Sequence, residues 1–284
     1  MRIVTDSMIG VHMPDIDTWS ARVTVVLGQN PGAFTGPGTN TFLVGTGPRP
    51  ILLDTGHGVP AYLPLLERAL LETRKAEGLR EIVVTHAHPD HIGGIDGVRA
   101  RFGALAVRKK PWPGRDPTVG VQPIDDGAEL AIEGATLRAI WTPGHAQDHL
   151  CFYLVEEKAL FSGDVVLGAG TTVIPGDGDL DDYLASLRRL LALDIAVIYP
   201  AHGPAIRNPH EKIASYIAHR ELREQQILDA LRAEPRVVPQ LVEQIYRDVP
   251  TFLHAAAALS VAAHLRKLER EGRVTRDGDR WVGR

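Results

Sequence analysis

The sequence predicts an α/β protein of mixed layers with a smaller helical unit at its C-terminal end. Three observations carry that expectation. Short apolar runs alternate with amphipathic stretches over about the first 200 residues. After Gly203 the apolar spacing changes to that of helices. Near the end, Asp277-Gly278 separates two short runs, a local hairpin signal.

Taken in order, VTVVL, TFLVGT and PILLDT between Ala21 and Thr55 read as strands, split by the Gly/Pro-rich NPGAFTGPG and GPRP. A helix is expected over 61–78, with Leu63, Leu66, Leu70 and Leu71 on one face and Gly78 as its stop. EIVVT is a buried strand running into His86. LRAIWT, LCFYLV, KALFSG and IAVIYP are further strands, and LDDYLASLRRLLAL is an amphipathic helix. Helices follow over 210–233, 239–248 and 252–271. Leu241, Ile245 and Val249 mark the apolar face of one, and Ala257, Val261, Leu265 and Leu268 that of another. Gly272 is placed to end the last helix with a left-handed cap. Helices followed by a hairpin suggest a winged-helix-like unit. The expected division is 1–205 and 206–284, and no Ser/Gly-rich linker separates the parts, so they should pack together.

Composition narrows the class. Of 284 residues, 44% are hydrophobic and 23% charged, which excludes a disordered, collagenous or coiled-coil chain. No run approaches the ~20 apolar residues that span a bilayer, and the start carries no readable secretory signal. The single cysteine, Cys151, excludes an internal disulfide framework and a thiolate zinc cluster. A cytoplasmic protein with no membrane partner is expected. Net charge is −4, but residues 205–284 hold 14 basic against 11 acidic residues. That small excess is a weak footprint for a polyanion and is also what a solvated surface would show.

The chemistry concentrates in Thr85-His86-Ala87-His88-Pro89-Asp90-His91. Two imidazoles two residues apart turn to one side of an extended segment. Asp90 and His91 sit on the turn that follows and can serve a second ion. A lone histidine is usually a core residue, but three with an aspartate in this spacing point to metal. Nitrogen and carboxylate oxygen donors suit zinc or manganese. His145, Asp164 and His202 each follow an apolar strand, where sites gather in layered α/β folds, and complete a set of seven ligands. His12, His57, His210, His254 and His264 receive no metal role.

The ordered series Asp54-Thr55-Gly56, THAHPDH (85–91), Gly144-His145, Gly163-Asp164 and Ala201-His202-Gly203 resembles the metallo-beta-lactamase superfamily. The resemblance implies a four-layer αββα sandwich with metals at one sheet edge. It also implies that His86, His88 and His145 hold one ion, that Asp90, His91 and His202 hold the other, and that Asp164 bridges them. Asn30-Pro31-Gly32, Gly38-Thr39-Asn40-Thr41, Gly168-Ala169-Gly170-Thr171-Thr172 and His219-Arg220…Arg223-Glu224-Gln225-Gln226 are similar to the beta-lactamase-like protein 2 family. That family includes endoribonucleases and carries a winged-helix-like C-terminal domain; fungal polyketide thioesterases look similar in the same segments. Beta-lactamases proper place a Cys in the second site, where Asp164 and His91 stand here. The interval from Asp164 to His202 is too short for the inserted domain of RNA-processing relatives.

Other positions invite weaker readings. Asp54 is expected to orient a ligand imidazole. Asp148 and His149 either contact substrate or hold the loop after His145. Asn40, Thr171 and Thr172 are candidates to line the pocket, although Thr-rich loops are more often turns. Arg108, Lys109, Lys110 and Arg115 are candidates for phosphate contacts, against a solvated charge run. Tyr216 and Arg220 are candidates to grip a thioester substrate.

The expected activity is hydrolysis by a hydroxide shared between two divalent ions, zinc first with manganese or iron as alternatives, and oriented by Asp90 as the catalytic carboxylate. Single-stranded RNA is the leading substrate, a small acyl thioester the alternative, and a DNA-binding regulator with an inert core the non-enzymatic reading. The helical tail is expected to wall one side of the cleft.

Overall fold

The computed structural model describes residues 8–284. Two sheets form its centre. The first has seven strands in sequence order: β1 (Ile16–Ser20), β2 (Val23–Leu27), β3 (Asn40–Val44), β4 (Ile51–Leu53), β5 (Ile82–Val83), β6 (Val107–Lys109) and β7 (Gln122–Pro123). β1 to β4 pair antiparallel, and β4 to β7 parallel. The second sheet runs β12 (Val197–Pro200), β11 (Ala159–Gly163), β10 (Leu150–Leu154), β9 (Ala135–Trp141), β8 (Glu129–Ile132).

Side-chain alternation explains the layering. Val23, Val25, Phe42, Val44 and Leu53 from the first sheet meet Leu137, Ala139, Leu150, Phe152 and Phe161 from the second in one core. Their neighbours point the other way. Val26, Leu43, Leu52 and Ile82 pack against α1 (Tyr62–Arg68) and α3 (Ile95–Phe102). Ile140, Cys151, Leu160 and Ile198 pack against α4 (Leu180–Leu191) and the first turns of α5 (Pro209–Ala233). Strands buried on both faces read as continuous apolar runs, which is how VTVVL and LCFYL appear in the sequence. The result is the four-layer αββα sandwich.

The helix expected over 61–78 is shorter. After α1 the chain widens into a π-helical turn at Ala69–Thr73 and leaves the helix at Lys75, whose φ is 49°. At the break the Arg74 guanidinium reaches the carbonyls of Ala21, Arg22 and Leu43 and ties this end to the β1–β2 turn and to β3.

The C-terminal part comprises α5, α6 (Val238–Ile245), α7 (His254–Arg270) and a hairpin of β13 (Val274–Asp277) and β14 (Arg280–Gly283). Gly272, with φ 70°, follows α7 as expected. The hairpin turn centres on Gly278 and Asp279, one residue beyond the Asp277-Gly278 pair the sequence suggested, since Asp277 pairs with Arg280. α5 begins just after the expected boundary and belongs to both cores. Ile213 and Tyr216 join the layer around α4, whereas Ile227, Leu228 and Leu231 join Leu241, Val261, Leu265, Val274 and Trp281. Among the described residues no helix is long and apolar enough to cross a membrane.

Candidate metal centre

Four loops at one edge of the sandwich converge. The first leaves β5 and enters α2 (Pro89–Ile92), with Pro89 in the first turn, where its missing N–H has no helical partner to lose. His86 and His88 precede that turn; Asp90 and His91 lie on it. His145 follows β9, Asp164 follows β11 and His202 follows β12.

The loops bring seven side chains into two groups. One is His86, His88, His145 and Asp164; the other is Asp90, His91 and His202; in each, one donor atom per residue lies within 4.8 Å of the rest. In the first group, His88 Nδ1 is 2.9 Å from both His86 Nε2 and His145 Nε2. In the second, Asp90 Oδ2 is 3.5 Å from His91 Nε2 and 3.3 Å from His202 Nε2. Asp164 faces both. Its Oδ2 is 3.5 Å from His145 Nε2, and its Oδ1 is 3.2 Å from His202 Nε2 and 3.5 Å from His91 Nε2.

These residues fit a pair of cations. His91 Nε2 and Asp164 Oδ1 are buried without a hydrogen-bond partner, an arrangement that costs free energy unless something binds there. The opposite ring nitrogens are already engaged: His91 Nδ1 lies 2.8 Å from Asp54 Oδ2, and His145 Nδ1 lies 2.9 Å from the Val173 carbonyl. Those contacts leave the inward nitrogens as lone-pair donors.

Electrostatics divide the set. Burial, with the charges of neighbouring imidazoles, keeps His86 well below the ordinary histidine range, and burial with His145 lowers His88 to about 4. Burial also lowers His145. On the other side burial works against charge on His202, but Asp164 and Asp90 outweigh it and raise that imidazole to about 9. His91 is raised likewise against burial, by Asp90, Asp54 and Asp164. Burial would raise Asp90 and Asp164; the adjacent His91 and His202 rings hold both well below the usual carboxylate range.

Around the seven, a shell of hydrogen bonds fixes the loops. Asp54, held at φ 60°, accepts from Thr85 N–H at 2.8 Å and Thr85 Oγ1 at 2.9 Å besides facing His91. His149 holds its loop: Nε2 accepts the Asp164 N–H at 3.1 Å while Nδ1 meets Thr142 Oγ1 at 2.8 Å. Gly163 permits this approach, since a Cβ there would stand 2.4 Å from His149 Nε2.

Asn40 does not line a pocket; it is fully buried and donates to the carbonyls of Pro200 and Gly203, strapping the His202 loop. Thr172 is buried as well and donates to the Asp164 carbonyl at 2.7 Å. Thr171 is half-buried in the same loop. Thr39, whose hydroxyl donates to Asp90 Oδ2 at 3.3 Å, and Thr85, beside both His86 and His91, were missed as site residues. For Thr85 adjacency to His86 was the available signal; Thr39 stands in Gly38-Thr39-Asn40-Thr41, next to the candidate Asn40.

The phosphate-contact candidates fare differently. Lys109 is fully buried between Asp148, at 2.9 Å, and Asp116. Arg108 pairs with Glu81 at 2.6 Å, Arg115 with Asp177 at 2.7 Å, and Lys110 lies 4.9 Å over the Trp141 ring. Tyr216 and Arg220 are not available to grip a substrate either. The Tyr216 hydroxyl bonds Leu167 N–H and the Gly170 carbonyl, and Arg220 bonds the Thr172 carbonyl. Packing of α5 on the Asp164 loop consumed both.

Comparison with known proteins gives the same picture. The Metallo-beta-lactamase superfamily matches residues 34–202, and the Beta-lactamase associated winged helix domain matches 237–281. A Beta-lactamase-like protein 2 homolog from Caenorhabditis elegans is 41% identical, covering 96% of this chain and 93% of its own. An atrochrysone carboxyl ACP thioesterase from Emericella nidulans is 40% identical over 96% of this chain and 88% of its own. A beta-lactamase domain protein from Burkholderia ambifaria, 20% identical, shares the fold with a TM-score of 0.84 over 99% of this chain and 97% of that one. Converging His/Asp loops, layered sheets and winged-helix tail thus mark the chain as a member of the metallo-beta-lactamase superfamily of metal-dependent hydrolases, similar along its length to beta-lactamase-like protein 2.

Proposed function

We propose that the chain hydrolyses acyl thioesters, with zinc as the resident metal. The observation that carries this over RNA cleavage is the fate of the cations. Arg108, Lys109, Lys110 and Arg115, the candidates for a phosphate track, are engaged by Glu81, Asp148 and Asp116, the Trp141 ring, and Asp177. In the tail, Arg270 pairs with Asp179 and Asp181, and Lys267 and Arg273 with Glu224. Nucleic-acid binding draws its affinity from cations free to neutralise phosphates. A thioester needs no such track. The thioesterase similar to this chain over nearly its whole length supports the same reading.

His86, His88, His145 and Asp164 would hold one ion, and Asp90, His91, His202 and Asp164 the other. Divalent cations there supply Lewis acidity toward a carbonyl oxygen and toward water. The chain does the positioning. Asp90 stays ionised beside His91 and His202, with Thr39 donating to its Oδ2, so its carboxylate accepts a hydrogen bond from the attacking water and sets its direction. Asp54, His149 and Asn40 hold the ligand-bearing loops so that the donor set need not reorganise. Cys151 is wholly buried in β10 and is not placed to act as a nucleophile.

The test offers zinc-loaded, ribonuclease-free protein an acyl-N-acetylcysteamine thioester, S-lactoylglutathione, single-stranded RNA and nitrocefin in parallel. Thioester turnover that disappears on chelation and returns with zinc is expected. RNA cleavage with the thioesters untouched would transfer the substrate class to nucleic acid. Full activity after complete metal removal would sink the metal chemistry, and recovery only with manganese or iron would displace zinc.

A further inference from the structure

Between α5 and α7, outside the set of metal ligands, stand two histidines and two arginines, and four of their nitrogens are buried without a hydrogen-bond partner. His219, Arg220 and Arg223 stand on α5, and His264 on α7. His264 is 1% exposed and neither ring nitrogen has a hydrogen-bond partner. Nδ1 of His219, which is 6% exposed, and Nε of Arg223 are likewise buried and unpartnered. Arg220 is 2% exposed; it bonds the Thr172 carbonyl and lies 5.4 Å over the Tyr183 ring. Arg223 bonds Gln226 Oε1 and the Ile245 carbonyl and lies 4.3 Å over the Tyr246 ring.

Carboxylates are missing from these contacts. The neighbouring acids on α5 are engaged elsewhere: Glu221 is exposed and lies 3.8 Å from Arg188, and Glu224 is taken by Lys267 at 2.8 Å and Arg273 at 2.9 Å. After burial, the charges acting on His219 are Arg220 and Arg223, and the foremost acting on His264 are Arg220, His219, Lys267 and Arg223. All carry one sign. Buried guanidinium groups are tolerated when paired and hydrogen-bonded, and unpaired buried donors are costly. One anion accepting from the free nitrogens of His219, Arg223 and His264, with the Arg220 guanidinium beside it, would offset both penalties.

We propose that His219, Arg220, Arg223 and His264 enclose a binding site for one small oxyanion of the phosphate class at the α5–α7 junction. The unpartnered nitrogens are sealed from solvent, which selects a small free ion over a phosphate tethered to a larger ligand. The site also touches the catalytic part through its backbone. Arg220 holds the Thr172 carbonyl while the Thr172 hydroxyl donates to the Asp164 carbonyl, so an anion that fixes Arg220 steadies the loop behind Asp164.

The experiment titrates potassium phosphate into metal-loaded, full-length protein by calorimetry and follows its melting temperature at constant ionic strength. His264→Leu and Arg223→Met are compared, each checked for retained metal so that phosphate at the metal centre is common to all three. Wild-type protein is expected to bind one more phosphate per chain than His264→Leu and to gain a saturable rise in melting temperature. Arg223→Met should weaken that extra binding at least tenfold. In phosphate-free buffer His264→Leu should melt no lower than wild type, because leucine removes the two unpartnered ring nitrogens of His264. Equal stoichiometry in wild type and both variants, or no phosphate binding by the wild type, would overturn the site.

Discussion

Asp54 shows how a residue outside the donor set governs it. Its carboxylate holds Thr85 through two hydrogen bonds and His91 Nδ1 at 2.8 Å, which fixes which imidazole nitrogen turns inward. Partners of this kind typically contribute about 10–100-fold in metal affinity. Asp54→Asn should therefore weaken metal binding by about that factor, read by competition against a chromogenic chelator. Unchanged affinity would mean that packing alone orients His91. Lys109 makes the opposite point, since a residue expected on the surface is a buried counter-ion. Removing one partner of a buried pair strands the other charge, at a cost of about 3–5 kcal/mol. Lys109→Met should lower the urea midpoint accordingly, because Asp148 loses the cation 2.9 Å away; a midpoint within error of wild type would show that Asp148 does not depend on it.

Elements supply the precision that single residues cannot. The His145 loop is clamped to the start of α4: the Gly144 carbonyl accepts the Asp179 N–H at 2.8 Å, and Asp179 caps α4 through Asp181 N–H and Asp182 N–H. Gly144 sits at φ 127°, and a Cβ there would stand 2.3 Å from the Tyr183 backbone nitrogen. Gly144→Ala should thus displace His145 from α4 and lower both metal content and activity by at least tenfold, whereas wild-type metal stoichiometry would show that the loop yields. The sequence disclosed the site unevenly at this scale. His86, His88, Asp90 and His91 were legible because local spacing places them on one turn, and His145, Asp164 and His202 because each closes an apolar strand. The environment of Lys109 was not legible, since its partner Asp148 lies on the loop after another strand and only tertiary pairing joins them. Nor was the break at Lys75, because the carbonyls that Arg74 captures belong to the β1–β2 turn and to β3. Apolar patterning announces layers; it says little about which charges meet between them.

The whole molecule is joined through α5, which contributes Ile213 and Tyr216 to one core and Ile227, Leu228 and Leu231 to another. Arg266 and Arg270 of α7 add bonds to the Pro175 carbonyl and to Asp179 and Asp181. The tail therefore braces the loops behind Asp164 and His145. Truncation after residue 205 should expose the α4 layer and give insoluble protein; a soluble, fully active fragment 1–205 would show that the brace is dispensable. The burial of Cys151 has a practical consequence at this same scale. The thiol points into the layer around α4, is fully covered, and burial pushes it up to about 12. No reagent reaches it until β10 parts from the helices over it, and no second thiol competes. Alkylation of the unmodified chain is then a built-in clock for opening of the sandwich. Its rate should rise with urea in step with global unfolding, and a rate indifferent to urea would reveal a local breathing motion at the centre of the second sheet.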